Sequence, residues 1–187
     1  MSTPPCGYHG CYLRIDLLSR THTVVPIPTG VLRRFIGGSG LGTWILLQES
    51  GERIDPLGPA APLLFVLSPL VGSPLTTSAK FAVMGKSPLT GRINDSLSSS
   101  AFAIAAKKAG YDAIAVVGAA EQPTCLFIDN ETARYESAAD VWGMSSEAAS
   151  RALAAQFGKS YRCAAIGPAG ENLVRYATIS HDGRHAG

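Results

Sequence analysis

The stretch GKSPLTGRINDSLSSSAFAIAAKKAGYDAIAVVG, Gly85 to Gly118, holds a turn, a helical run and an apolar strand in direct succession. Pro88 presets φ for the bend in SPLTG. The apolar spacing after the serines predicts a helix from about Ser98 to Ala109, with Gly110 as its C-terminal cap. DAIAVVG then reads as a strand, and SAKFAVMG before the turn as another. The unit is therefore strand, turn, helix, strand.

Ser96, Ser98, Ser99 and Ser100 crowd the start of that helix, with Asp95 just before them. One or two such residues serve as N-caps, accepting from the free N–H groups of the first turn. A larger group at the positive end of the helix dipole also suits a phosphate or a similar anion. Lys80, on the preceding strand, could add a point charge to the same side. The residues alone leave both readings open, an anion site and a solvated cap.

Toward the N-terminus, YLRIDLLSRTHTVVPI alternates around a polar turn and predicts an antiparallel hairpin. GVLRRFIGGSGLGTWILLQES reads as two short helices joined by a glycine loop, Gly37 to Gly42. A dinucleotide site there would need a strand immediately before the loop and a glycine where Thr43 stands, so a plain helix connection is the better reading. Leu63 to Leu67 forms a further apolar strand.

Toward the C-terminus, TCLFIDNETARYES predicts a hairpin turning at Asp129-Asn130. SSEAASRALAAQFG predicts a helix capped by Ser145 or Ser146 and stopped by Gly158. YRCAAIGPAGENLVRYATIS predicts two more strands around GPAGEN. In the final SHDGRHAG, Arg184 and His185 stand beside glycines that permit close backbone approach, which makes a second anion-site candidate; a frayed tail is the alternative. Hairpins outnumber helices, so the fold class is α+β.

The chain also echoes itself. FVLSPLVG followed by AKFAV resembles CAAIGPAG followed by VRYAT, which divides the chain into halves of roughly 1–118 and 119–187. Shared turn chemistry would produce the same likeness.

The totals narrow the function classes. With 187 residues, 46% of them hydrophobic, the chain can bury a substantial core. Sixteen basic and 14 acidic residues give a net charge of only +2, which provides no broad footprint for nucleic acid or an anionic membrane. The apolar region Gly58 to Pro74 is broken by Pro59, Pro62, Pro69 and Pro74 and predicts no membrane span. The N-terminus lacks the pattern of a secretory signal, which favours a cytoplasmic setting. Cys6 and Cys11 flank His9 in CGYHGC, but Cys125 and Cys163 stand alone, so buried or incidental thiols are expected rather than a metal centre.

At GKSPLTG, KKAGYDAIAVVG, VWGMSS, IGPAGENLVRYATIS and DGRHAG the sequence resembles the N-terminal domain of the aldehyde:ferredoxin oxidoreductase family, the tungsten or molybdenum bis-pterin enzymes. The motifs occur in the family's order and the resemblance runs from GCYLRIDL to the last glycine. It implies an α+β fold with two similar β-α-β motifs whose surface forms the base for two metallopterins, with a magnesium ion bridging their phosphates. Carried over by motif, Lys80, Leu97, Ser98, Ser99 and Ser100 would face one pterin and Arg184, His185 and Ala186 the other. The main-chain carbonyls of Leu97 and Ala186 would meet the magnesium. Relatives carry arginine at the positions of Ser39 and Lys80 and a glycine pair at Ser99-Ser100.

The reaction so implied oxidises an aldehyde to a carboxylic acid, with electrons leaving through a [4Fe-4S] cluster to ferredoxin. The cluster ligands and helical C-terminal domains of the family have no counterpart in these 187 residues, so the chain would work as part of a complete enzyme, joined to those domains or to a split-gene partner, and would be inactive alone. No catalytic acid or base is expected here. A domain built to lie under cofactors would expose apolar surface, so self-association, for instance as a homodimer, is expected. The alternative is a non-catalytic scaffold that has kept the fold without the cofactor.

Overall fold

In the computed structural model, residues 3–51, 53–129, 132–158 and 160–187 are described. The N-terminal hairpin forms as its alternation predicts: β1 (Cys11–Asp16) pairs antiparallel with β2 (Thr21–Pro26). Two helices follow, α1 (Thr29–Arg34) and α2 (Gly37–Glu49). Then come β3 (Leu63–Leu67), β4 (Lys80–Lys86), β5 (Ile93–Ser99), α3 (Ala101–Lys108) and β6 (Ala113–Val117). Together these strands make a mixed sheet in the order β2-β1-β6-β3-β4-β5. Only the central β1–β6 pair is parallel among its pairings.

Strand alternation divides the core into two layers. Tyr12, Leu64, Val66, Ala82, Met84, Ala113 and Ala115 face α2, where Leu41, Ile45 and Leu46 meet them. Leu13, Ile15, Phe65, Leu67, Phe81, Val83 and Ile114 face the other way, onto Ala103 and Ala106 of α3. The alanines bring α3 close to the aromatic rings of Phe65 and Phe81, and Phe102 packs against both at 5.5 and 5.4 Å.

The remaining chain adds β7 (Thr124–Asp129) and β8 (Thr132–Ser137) as a separate hairpin, and then α4 (Ser146–Phe157). A three-stranded sheet closes the chain: β9 (Ala164–Ala165), β10 (Ile179–His181) and β11 (Arg184–Ala186), with α5 (Pro168–Glu171) between β9 and β10. The fold is α+β, as expected. Ser145 caps α4 through Ala148 N–H, and Gly158, at φ 103°, ends it. Asn130, expected in the β7–β8 turn, lies outside the described residues.

Three local expectations are corrected. Gly37 to Gly42 is not a loop, because the chain breaks only around Gly38 (φ 46°, ψ −133°) and continues as α2. The glycines serve close packing: a Cβ on Gly42 would collide with the Met84 sulfur and press on Val66, so glycine lets α2 lie directly on the sheet. Asp95 to Ser99 belong to strand β5, not to a helix start, and α3 begins only at Ala101. Seven consecutive pairings with β4 override the poor strand propensity of this serine-rich segment. Finally, PAGE within GPAGEN forms the short α5 and VRYAT is mostly a loop, so only Ala164–Ala165 and Ile179–His181 pair as strands around them.

A buried clamp fixes the N-terminal segment to this frame. Asp112, fully buried, accepts from His9 N–H at 3.1 Å, Gly10 N–H at 2.7 Å and Lys107 Nζ at 2.6 Å. Its removal would leave a buried ammonium and two amides without their acceptor. Asp112→Ala is expected to cost about 3–5 kcal/mol, read as a lower urea midpoint at unchanged slope; a loss below about 1 kcal/mol would contradict the clamp.

Candidate anion-binding cleft

The end of β4 opposes the end of β5 with Lys80 across from Ser99 and Ala82 across from Leu97. Lys80, Leu97 and Ser99 thus share one face, while Ser98, across from Phe81, turns to the other. From the far end of the chain, β11 brings Arg184 and His185 to the same place. Lys80, Leu97, Ser98, Ser99, Arg184 and His185 together line a cleft of about 540 Å³. The residues singled out in two distant stretches of sequence are therefore neighbours in space.

The tail reaches this position because HDGR is a tight hairpin, not a frayed end. His181 pairs with Arg184 across a two-residue loop in which Asp182 and Gly183 have φ of 47° and 73°. Asp-Gly with two positive φ angles is the type I′ signature, a signal present in the sequence that our reading did not use. The end of β11 is then tied to β5: Gly187 N–H donates to Ser96 Oγ at 3.0 Å, and Asn94 Nδ2 donates to Gly187 O at 2.9 Å.

The N-terminus of α3 does not face the cleft as a phosphate site. Phe102 N–H donates to Ser100 Oγ at 3.2 Å and to Asp182 Oδ2 at 3.0 Å. A carboxylate of the chain itself thus occupies the positive end of the helix, and Ser100 acts as its cap. Ser100 is not among the residues lining the cleft, and neither is Ala186, which is 2% exposed and packed in the core. Leu97, by contrast, is 71% exposed.

Lys80 and Arg184 make no ion pair among the described residues, and no carboxylate lines the cleft. Of the acidic groups nearby in sequence, Asp95 accepts from Ser39 Oγ at 2.6 Å and Asp182 is engaged with α3. Two cations without carboxylate partners thus stand beside hydroxyl groups in a chain with almost no net charge, which makes the cleft a candidate anion site.

Behind the cleft lies His181, fully buried and missed by sequence reading. Its Nε2 is 2.7 Å from Ser98 Oγ and its Nδ1 3.0 Å from Ser100 Oγ, and its ring meets Phe81 edge-on at 4.8 Å. Burial pushes its pKa below the ordinary histidine value; Asp182 opposes this, and Arg184 and His185 reinforce it.

Comparison with known proteins agrees with this architecture. Residues 12–187 match the model of the aldehyde ferredoxin oxidoreductase N-terminal domain, so the chain belongs to that family. Over 181 residues it is 36% identical to a tungsten-containing aldehyde ferredoxin oxidoreductase of Pyrococcus abyssi, covering 96% of this chain and 30% of the relative. An aliphatic sulfonate oxidoreductase, WOR-like subunit, of Pyrococcus furiosus is 34% identical, with 96% of this chain and 31% of the relative covered. Among solved structures, the active-site complex BamBC of benzoyl coenzyme A reductase, bound to 1,5-dienoyl-CoA, superposes with a TM-score of 0.91 at 28% identity. That match covers 96% of this chain and 28% of the other. The chain thus spans about 30% of the length of the curated relatives it matches.

The depressed pKa of His181 makes the unfolded state the better proton acceptor. Its stabilising contribution is present above the unfolded value near 6.5 and is lost as pH falls below it. The melting temperature is expected to drop between pH 7.5 and pH 5 by several degrees more in the wild type than in His181→Gln. Equal pH profiles would contradict a buried neutral imidazole.

Proposed function

We propose that this chain is the metallopterin-binding domain of a tungsten-dependent oxidoreductase that oxidises an aldehyde to a carboxylic acid. The observation that carries the reading is the meeting of Lys80, Leu97, Ser98, Ser99, Arg184 and His185 at one cleft. The donor set fits a pterin phosphate: two cations without carboxylate partners, an imidazole, serine hydroxyls and exposed main chain. Tungsten enters the proposal through the relatives, several of which are named as tungsten-containing.

In this reading Lys80 and Arg184 approach phosphate oxygens from the β4 and β11 sides of the cleft. Lysine acts as a point charge, whereas arginine can offer two parallel N–H groups. The side chains of Leu97 and Ser99 would form the wall on the β5 side, with Leu97 giving an apolar contact to the pterin. Ser100 supports that wall from behind, as the α3 cap. A magnesium ion accompanying the cofactor would take the main-chain carbonyl of Leu97; Ala186, given the same role by resemblance, is 2% exposed and lies on the adjoining segment that the Gly187 bonds to Ser96 and Asn94 hold. The bound tungsten pterin would supply the two-electron chemistry, and the protein's part is to bind and orient it.

No group of three or more His, Cys, Asp or Glu among the described residues could hold a metal ion. A [4Fe-4S] cluster passing electrons to ferredoxin would therefore be ligated outside these residues, in domains or a partner chain that complete the enzyme. Substrate choice would lie there too, since relatives sharing this domain are named for aldehyde and for aliphatic sulfonate. No helix among the described residues is long and apolar enough to cross a membrane. Four free thiols suit a reducing, cytoplasmic setting. Exposed Tyr176 and Ile36, each more than 70% accessible, provide apolar surface for those domains or for a second copy.

The test is the tungsten and pterin content of the protein isolated from its own cells, measured by elemental mass spectrometry and by fluorescence of the oxidised pterin. Wild type is expected to carry both, and Lys80→Ala with Arg184→Ala to lose at least tenfold of each at unchanged melting temperature, since each charge-assisted contact removed is worth about 1.5–3 kcal/mol. A wild type free of both in tungstate-fed cells would favour the scaffold reading.

A further inference from the structure

We infer that His181 is the positioning residue of the cleft, holding the β5 wall and the β11 wall at binding distance through a single fixed tautomer. The inference rests on the anion-binding reading of the cleft and concerns a residue that does not line it.

His181 sits at the end of β10, pairs with Arg184 of β11, and is wedged between Ser98 of β5 and Ser100 at the start of α3. Its two ring nitrogens thus reach two residues flanking Ser99, and its own strand carries Arg184. Full burial against Phe81 and Phe102 removes water as an alternative partner. The separation between the Leu97–Ser99 wall and Arg184 is therefore held by the imidazole ring and its two hydrogen bonds at one end of β11, alongside the Gly187 bonds to Ser96 and Asn94 at the other.

The tautomer assigned here is the one in which Ser100 donates and Ser98 accepts. Ser100 Oγ accepts from Phe102 N–H as the helix cap and, in this assignment, gives its own proton to His181 Nδ1. The ring then bears its proton on Nε2 and donates it to Ser98 Oγ at 2.7 Å. Ser98 is part of the cleft's lining, but its hydroxyl lies on the face opposite Lys80 and Ser99 and is held there by His181. Ser100 in this way influences the cleft without touching it.

Two readouts test the assignment on the 187-residue chain. Nitrogen-15 NMR of the imidazole at pH 7.5 is expected to show the Nε2–H tautomer in wild type and to lose that fixed state in Ser100→Ala. Titration with inorganic phosphate, well below the melting temperature, is expected to show affinity falling on the order of tenfold in His181→Leu, about one hydrogen-bonded contact's worth. Ser100→Ala is expected to weaken binding in the same direction. His181→Gln, which keeps an acceptor and a donor, should recover most of the loss. An Nδ1–H tautomer in wild type, or unchanged phosphate affinity in folded His181→Leu, overturns the positioning role. Failure of wild type to bind phosphate at all overturns the anion reading of the cleft, and the positioning role falls with it; the tautomer result separates that failure from an error in His181 alone.

Discussion

The cleft depends on one junction between sequence-distant parts of the chain: His181 and Asp182 docked on the start of α3. Their short sheet, β9 to β11, has few strand pairings of its own. What orients it against the main sheet is the imidazole between Ser98 and Ser100 and the carboxylate on Phe102 N–H. His181 is polar and buried against aromatic rings, where an unpaired donor or acceptor would be costly, whereas Asp182 makes its bond at the surface. The arrangement is therefore specific: a shift of either strand would leave several polar groups without partners.

The same junction explains how a chain of nearly neutral charge can present a local cationic site. Asp182 is bonded to a helix end and Asp95 to Ser39, and among the described residues neither forms an ion pair with Lys80 or Arg184. The charges in the cleft are left for a ligand. The two-layer core beneath, closed by α2 on one face and α3 on the other, supplies a rigid base. The Asp112 clamp ties the N-terminal segment to that base.

Much of this was legible in the sequence. The hairpins, Gly110 and Gly158 as helix stops, and the apolar strand of Leu63 to Leu67 follow from local patterns. The serine segment did not, because β5 exists only by pairing with β4, and its serines resemble a helix cap when read alone. The glycines of α2 likewise look like a loop until Met84 and Val66 are seen beneath Gly42. The site residues were named largely through family resemblance, and their spatial meeting required β11, whose Asp-Gly turn was readable but unread. His181 carries no sequence pattern that marks it, since its role arises wholly from partners more than 80 positions away.

The proposed occupant of this cleft is a metallopterin phosphate. Its most direct test is anomalous diffraction at the tungsten absorption edge from crystals of the protein purified anaerobically from its own cells. A tungsten peak is expected, accompanied by pterin density whose phosphate contacts Lys80 or Arg184. Tungsten and pterin bound elsewhere, with only solvent between β5 and β11, would contradict it.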